Sequence, residues 1–308
     1  MTTSSIGSSG ADQTAAVQAY RRDAALLLGA DDSVARQFGS SGMVLIGDTP
    51  LSLQPLQDDP AGPWMAFTQA ARPAEVAEDT WCDALLRATH HGLTVTHAAY
   101  GLTDHGDAVV TLRTPAGYDH ADLLAAEMAG LLSLRQALLD GVRASAKVAP
   151  ATAPAGRAPG QAVRPPEPSS DAQEFEAPDD VLGLIHAALL HLGFSVPQAQ
   201  TAVRTGELQL EGMTLGLACD GDTPTLVVAA DLGEDTLSTP DERKQALLAN
   251  VGLMACAGVA VAREQGRARL MARCDLAAHS AEVFATWLGH FARLAQSTVS
   301  HRHATAHH

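Results

Sequence analysis

Aromatic residues are scarce in this chain of 308 residues: Phe, Tyr and Trp make up 4% of it, so its core has to be assembled from Ala, Leu and Val. Basic residues are also few. Lys and Arg number 20 against 35 Asp and Glu, a formal net charge of −15, which is the wrong sign for tracking a phosphate backbone or an anionic lipid surface. Nucleic acid and membrane are therefore not expected partners. The four cysteines, Cys82, Cys219, Cys256 and Cys274, form no CxxC and no metal-ligand spacing, which is the pattern of free thiols in a reducing compartment. No apolar run approaches the ~18 residues that read as a membrane span. Residues 1–10 have neither the basic nor the apolar region of a secretory leader, so a cytoplasmic location is expected.

The signatures of common chemistries are missing as well. There is no GxGxxG, no GxxxxGK[ST] and no GxSxG, and the serine-glycine runs at 7–10 and 39–42 read as flexible loops. Thirteen histidines, among them His90, His91, His97, His105, His120, His186 and His191, show no HExxH or comparable spacing and read as loop and surface residues. The pair Asp220 and Asp222 around Gly221 lacks the later ligands of a calcium loop and reads as a turn between strands. Cys82 has only the more distant Arg87 to lower its pKa, which does not make a nucleophile. No catalytic residue, metal site or cofactor is expected.

What is present is a chain with 46% hydrophobic and 18% charged residues, a balance that folds, at a length suited to two domains. Residues 142–178 hold seven of the sixteen prolines and ten alanines, a composition that favours extended, semi-stiff chain over a packed core. This stretch is expected to link domains at 12–141 and 179–296, with a disordered start at 1–11 and a disordered His-rich tail at 297–308.

The flanking halves share one order of elements. The first opens with Asp12 as an N-cap, then Val17, Tyr20, Ala24, Leu27 and Leu28 at helical spacing, and stops at Gly29; the second has Asp179, then Leu182, Ile185, Leu189 and Leu192, and stops at Gly193. Three strand-like runs follow in each, at 43–47, 51–56 and 64–70 against 207–211, 214–219 and 225–230. A middle helix comes next, at about 79–91 before Gly92 in the first half. In the second it starts sharply at Thr239-Pro240-Asp241-Glu242, with Thr as N-cap, Pro at the first helical position and Glu three residues after the cap. Hairpins turning at Gly106 and Gly266, 160 positions apart, and a last amphipathic helix close the halves. The expected fold is α+β: two tandem αβββαββα units, each a mainly antiparallel five-stranded sheet with three helices.

This order resembles the class I type III secretion chaperones, the Tir-chaperone-like family of small acidic bacterial proteins. The stretch ALLANVGL, which contains Leu247, Leu248 and Asn250, is similar to the family's Leu-Leu-x-Ala-Asn signature, and Gly258, a hairpin and a final helix follow at the family's spacing. In the first half the corresponding stretch is ALLRATHHGL, where Ala88 or Thr89 stands in place of the Asn. The resemblance implies a non-catalytic protein that binds the N-terminal segment of a secreted effector by burying apolar anchors and adding strands to sheet edges. It also implies dimers, so a two-copy chain is expected to be a tethered pseudo-dimer or to pair its units between chains. A regulatory or scaffold adaptor binding another component of the secretion apparatus is the alternative.

Candidate client-binding residues are Leu26, Leu51, Leu53, Met65 and Phe67 in the first unit and Leu184, Phe194, Leu215 and Leu217 in the second. The same spacings suit ordinary core, so only a contiguous exposed group carries meaning. Asn250 is expected to act structurally, by satisfying backbone groups.

Overall fold

The structure is a computed structural model that describes residues 10–56, 63–114, 120–148, 175–219, 223–234 and 236–305. In the first half these form α1 (Gly10–Leu27), α2 (Asp32–Ser41), β1 (Met43–Ile46), β2 (Thr49–Pro55), β3 (Trp64–Ala70), α3 (Glu78–Val95), β4 (Ala98–Leu102), β5 (Ala108–Arg113) and α4 (Ala121–Val148). The second half repeats the order with α5 (Asp179–His191), α6 (Val196–Thr205), β6 (Glu207–Leu210), β7 (Met213–Cys219) and β8 (Thr225–Gly233). It continues with α7 (Pro240–Ala257), β9 (Val259–Glu264), β10 (Arg267–Asp275), a 3-10 turn at Leu276–Ala278 and α8 (Ala281–Thr305). The fold is α+β, with two five-stranded sheets in the orders β1-β2-β3-β5-β4 and β6-β7-β8-β10-β9. Neighbouring strands in the described registers run antiparallel.

Each half contains one more helix than the sequence pattern suggests. α2 is capped by the Asp31 side chain, which accepts from Val34 N at 2.8 Å, and ends at Gly42 in the left-handed region, φ 67°. Its last residues are Gly39, Ser40 and Ser41, part of the serine-glycine run expected from sequence to be loop. α6 carries a capping box between Ser195 and Gln198 and a proline in its first turn. Other boundaries move outward. α1 begins at Gly10, ahead of Asp12; α3 continues through Gly92 to Val95; α4 runs beyond 141 to Val148. α8 passes 296 to reach Thr305, because no Gly or Pro interrupts the chain after Gly289. Residues 1–9, 149–174 of the linker, the turn at Asp220 and Asp222, and residues 306–308 lie outside the described residues.

α7 has the cap the sequence announces: Thr239 accepts from Glu242 N, Glu242 accepts from Thr239 N at 3.0 Å, and Gly258 closes the helix at φ 67°. The hairpin glycines Gly106 and Gly266 sit at φ 85° and 90°, where a side chain would be strained.

The chain divides into two compact units. One joins Met1–Val142 to Leu237–Arg263, so it contains α7 and most of β9 together with the first sheet; the other joins Arg143–Thr236 to Glu264–His308. In the first unit, Val44, Leu51, Leu53, Ala66, Val110 and Leu112 are buried on one face of the sheet. Tyr100 shares that face, and its hydroxyl donates to Leu134 O of α4 at 3.3 Å. Arg21 fixes α1 to the same layer: it donates to Leu53 O at 3.2 Å and lies 4.6 Å over the Trp64 ring. α7 packs on β4 and β5 from the opposite side, where Gly101 meets it. In the second unit the core holds Ile185, Leu189, Leu215, Leu226, Leu270, Phe284 and Leu288. There α5 packs on α8, whose Phe284, Trp287 and Phe291 stack in succession with centroids 5.8 and 5.5 Å apart.

Candidate functional site

An edge strand exposes a row of unpaired N–H and C=O groups, so the way each edge is treated shows where an extended segment could add. In the first unit β4 is an edge strand and is closed by a side chain. Thr89 of α3, fully buried, presents its hydroxyl to the backbone of Tyr100: it accepts from Tyr100 N at 3.1 Å, and its one proton is shared between Leu85 O at 2.9 Å and Tyr100 O at 3.3 Å. Asn250 of α7 does the same for β9. Its Oδ1 accepts from Val261 N at 2.8 Å, while its Nδ2 donates to Val261 O and to Tyr100 O, both at 2.9 Å. Asn250 lies 161 residues after Thr89, and Val261 lies 161 after Tyr100. The two positions therefore perform one task with different side chains.

Three ion pairs hold α7 and the start of the following hairpin against α3. Arg243, 7% exposed, binds Asp79 and donates to Leu237 O at 2.8 Å; Lys244 meets Glu78 at 2.7 Å; Arg263 binds Asp83. The Lys244 ammonium holds the Glu78 carboxyl below its ordinary value, and Glu78 raises that of Lys244. Arg113 of β5 donates to Met254 O and Ala255 O in the last turn of α7, where Met254 O also accepts from Gly258 N. Burial holds the Arg113 pKa below its ordinary value.

The opposite edge, β1, is open. Leu53 N donates to Gly42 O at 2.7 Å, which sets the register so that residues 42, 44 and 46 bond β2, and 43 and 45 turn their backbone groups outward. The Met43 N–H donates to the Ser41 hydroxyl at 3.1 Å, whose one proton is shared between Gln37 O at 2.8 Å and Met43 O at 3.2 Å. The backbone groups of Leu45 face outward with no partner among the described residues. The side chains of the same two residues are the exposed ones on this strand, Met43 at 55% and Leu45 at 65%. The register continues their face through buried Ser52 to half-buried Phe67, and Leu45 lies beside exposed Pro50. The result is an exposed apolar pair, Met43 and Leu45, with Pro50 beside it, next to a strand edge that leaves the backbone of Leu45 open.

Of the residues singled out from sequence, Leu51, Leu53, Met65, Leu215 and Leu217 are buried at 0 to 7% exposure and belong to the core of their sheets, inaccessible to a partner in the folded chain. Strand alternation explains Leu51 and Leu53, which point to the packed face, whereas Met65 lies on the face of Phe67, opposite Gln54, and is buried there; the apolar residues of β1 that point out are Met43 and Leu45. Phe67, Leu184 and Phe194 are half-buried, and Leu26 is exposed. Phe67 alone of these stands in the cross-strand row of Met43. Leu26 and Leu27 are the large apolar side chains exposed on α1 among the described residues. Thr239, Pro240, Glu242, Leu247 and Gly258 serve α7 itself, as caps and as buried packing, with Leu248 half-buried.

In the second unit an open cleft of about 510 Å³ is lined by Phe175, Leu182, His186, Val203 and Arg204 among others; His186, half-buried on α5 and not a loop residue, has its Nε2 buried there without a hydrogen-bond partner. Among the described residues no group of three or more His, Cys, Asp or Glu is placed to hold a metal ion. No described helix is long and apolar enough to cross a membrane.

The thiols differ in access. Burial, with Glu78 and Asp79 adding to it, pushes the Cys82 thiol up, and burial pushes Cys274 to about 12, whereas Cys256 is exposed. Brief iodoacetamide treatment at pH 8 is thus expected to label Cys256 first, with Cys82 and Cys274 labelled only after denaturant is added. Peptide mass spectrometry reads the order, and early labelling of Cys82 would contradict this packing of α3.

No protein family, curated protein or solved structure compared with the chain matches it.

Proposed function

We propose that this protein is a non-catalytic, cytoplasmic holding protein of the type III secretion chaperone kind, which binds the N-terminal segment of a secreted effector and keeps it soluble and fit for export. The observation that carries this reading is the treatment of the first sheet's edges: buried Thr89 engages β4 at Tyr100, while β1 leaves the backbone of Leu45 open beside the exposed side chains of Met43 and Leu45. An exposed apolar edge is an aggregation liability unless it has a partner. Strand addition supplies one, with main-chain hydrogen bonds giving affinity and alternate side chains giving specificity. The Leu-Leu-x-Ala-Asn resemblance supports the same reading, since Asn250 has a physical task that explains a preferred Asn. The middle helices α3 and α7 pair inside one chain through Arg243–Asp79, Lys244–Glu78 and Arg263–Asp83, so the working form proposed is a tethered pseudo-dimer.

The test is a holding assay against secreted proteins of the source organism. The chain is expected to suppress aggregation of one of them, and deleting that client's N-terminal segment is expected to abolish the effect. Failure to hold any of them removes this reading.

A further inference from the structure

The repeat places the same edge in both units, yet the side chains along it differ. The cross-strand row beginning at the first edge is Met43, Ser52, Phe67 and Thr111; the row beginning at the second is Glu207, Gly216, Ala229 and Met271. Two residues further along each edge strand stand Leu45 and Gln209. The backbone is alike in both: Leu217 N donates to Gly206 O at 2.7 Å, as Leu53 N does to Gly42 O, and Thr205 meets Glu207 as Ser41 meets Met43. Main-chain pairing is thus offered twice, but apolar anchoring only once, because Glu207 and Gln209 present a carboxylate and an amide where β1 presents Met and Leu.

Charge specifies the occupant further. The first unit contains 19 acidic against 10 basic residues. All ten basic side chains already have an acceptor. Arg21, Arg72, Arg113 and Arg135 donate to backbone carbonyls, and the other six pair with carboxylates. Asp48, at the turn that ends β1, and Glu75 and Asp104 are exposed carboxylates. The excess negative field favours a cationic partner.

We infer that docking is one-sided: β1 takes an extended polypeptide segment that alternates apolar with basic residues, and β6 does not. This deepens the proposed function and rests on it. One chain then holds one such segment by a strand edge, although its fold repeats.

The experiment uses the full chain and a fluorescein-labelled ten-residue peptide alternating leucine or valine with lysine, with affinity read by anisotropy and site by hydrogen-exchange mass spectrometry. Binding is expected to slow exchange over residues 43–46 and leave 207–210 unchanged. Leu45→Gln, which installs the side chain found at the second edge, is expected to weaken binding at least tenfold; Gln209→Ala is expected to leave it unchanged. An unchanged thermal melt of Leu45→Gln shows that the fold persists. Equal protection at both edges, wild-type affinity in Leu45→Gln, no binding by the wild type, or a free chain that is already a dimer protected at 43–46 would each overturn the inference. These failures are separate from that of the holding function, which the aggregation assay reads on the wild type alone.

Discussion

Asn250→Ala is expected to destabilise the first unit by about 3 to 5 kcal/mol, because removing one partner of a buried hydrogen bond leaves the other at about 1–3 kcal/mol per orphaned group. Val261 N–H and C=O lose the partner that Asn250 provides, and Tyr100 O loses its amide donor, since the one Thr89 hydroxyl proton has Leu85 O nearer, at 2.9 Å against 3.3 Å. The shortened side chain leaves a void as well. Asn250→Asp is expected not to rescue the loss: a carboxylate accepts from Val261 N but cannot donate to two carbonyls. Asn250→Thr should recover part of it, since a threonine hydroxyl already performs the equivalent task at Tyr100. Urea unfolding checks the series, with the midpoint falling and the slope retained. An alanine variant with a wild-type midpoint would show that these bonds contribute nothing.

Gly101→Val is the second large effect. A Cβ at Gly101 would lie 2.6 Å from Val251 Cγ2 and 2.9 Å from Leu247 O, and the latter is helix backbone that cannot step aside. Either α7 or β4 has to shift, and overpacking of this kind costs typically about 1–3 kcal/mol, with more where backbone must move. Val251→Ala in the same chain should restore only part of the loss, because it clears the methyl and not the carbonyl. A double-mutant cycle reads this directly. Full restoration would place the conflict at the side chain alone, and no loss in Gly101→Val would contradict the packing of α7 on β4.

The Gly101 effect arises where a helix of the second repeat meets a strand of the first, and Asn250 reaches the same strand through Tyr100 O; this was the part least legible in the sequence. The fold class, ten strands, the middle helices and the hairpin turns followed from local signals: the Thr239 cap, the glycines at 106 and 266, and the strand spacing. α2 was hidden because its last three residues are Gly39, Ser40 and Ser41, and a single helical turn of such composition cannot be told from loop. α6 carried a usable sign, Ser195 followed three residues later by Gln198, with Pro197 between. Gly92 read as a helix stop, yet it sits inside α3, where Ala98 O approaches too closely for a side chain.

The candidate site was less legible for a different reason. Met43, Val44, Leu45 and Ile46 are all apolar, so the run shows no alternation and does not reveal which residues face out. Only the register, set by the bond from Leu53 N to Gly42 O, assigns Met43 and Leu45 to the open side. Leu51 and Leu53 stand out in the sequence because they alternate cleanly, and clean alternation is what a packed face produces. Likewise Thr89 looked like a departure from the Asn in the second half; the structure shows a hydroxyl and an amide doing the same work on two strand edges.

The most direct measurement of the central claim is light scattering of the purified chain, alone and after mixing with the N-terminal segments of secreted proteins from its own source. The account predicts a single chain of 32.0 kDa that retains one segment per chain. A chain that retains no such segment would contradict the account.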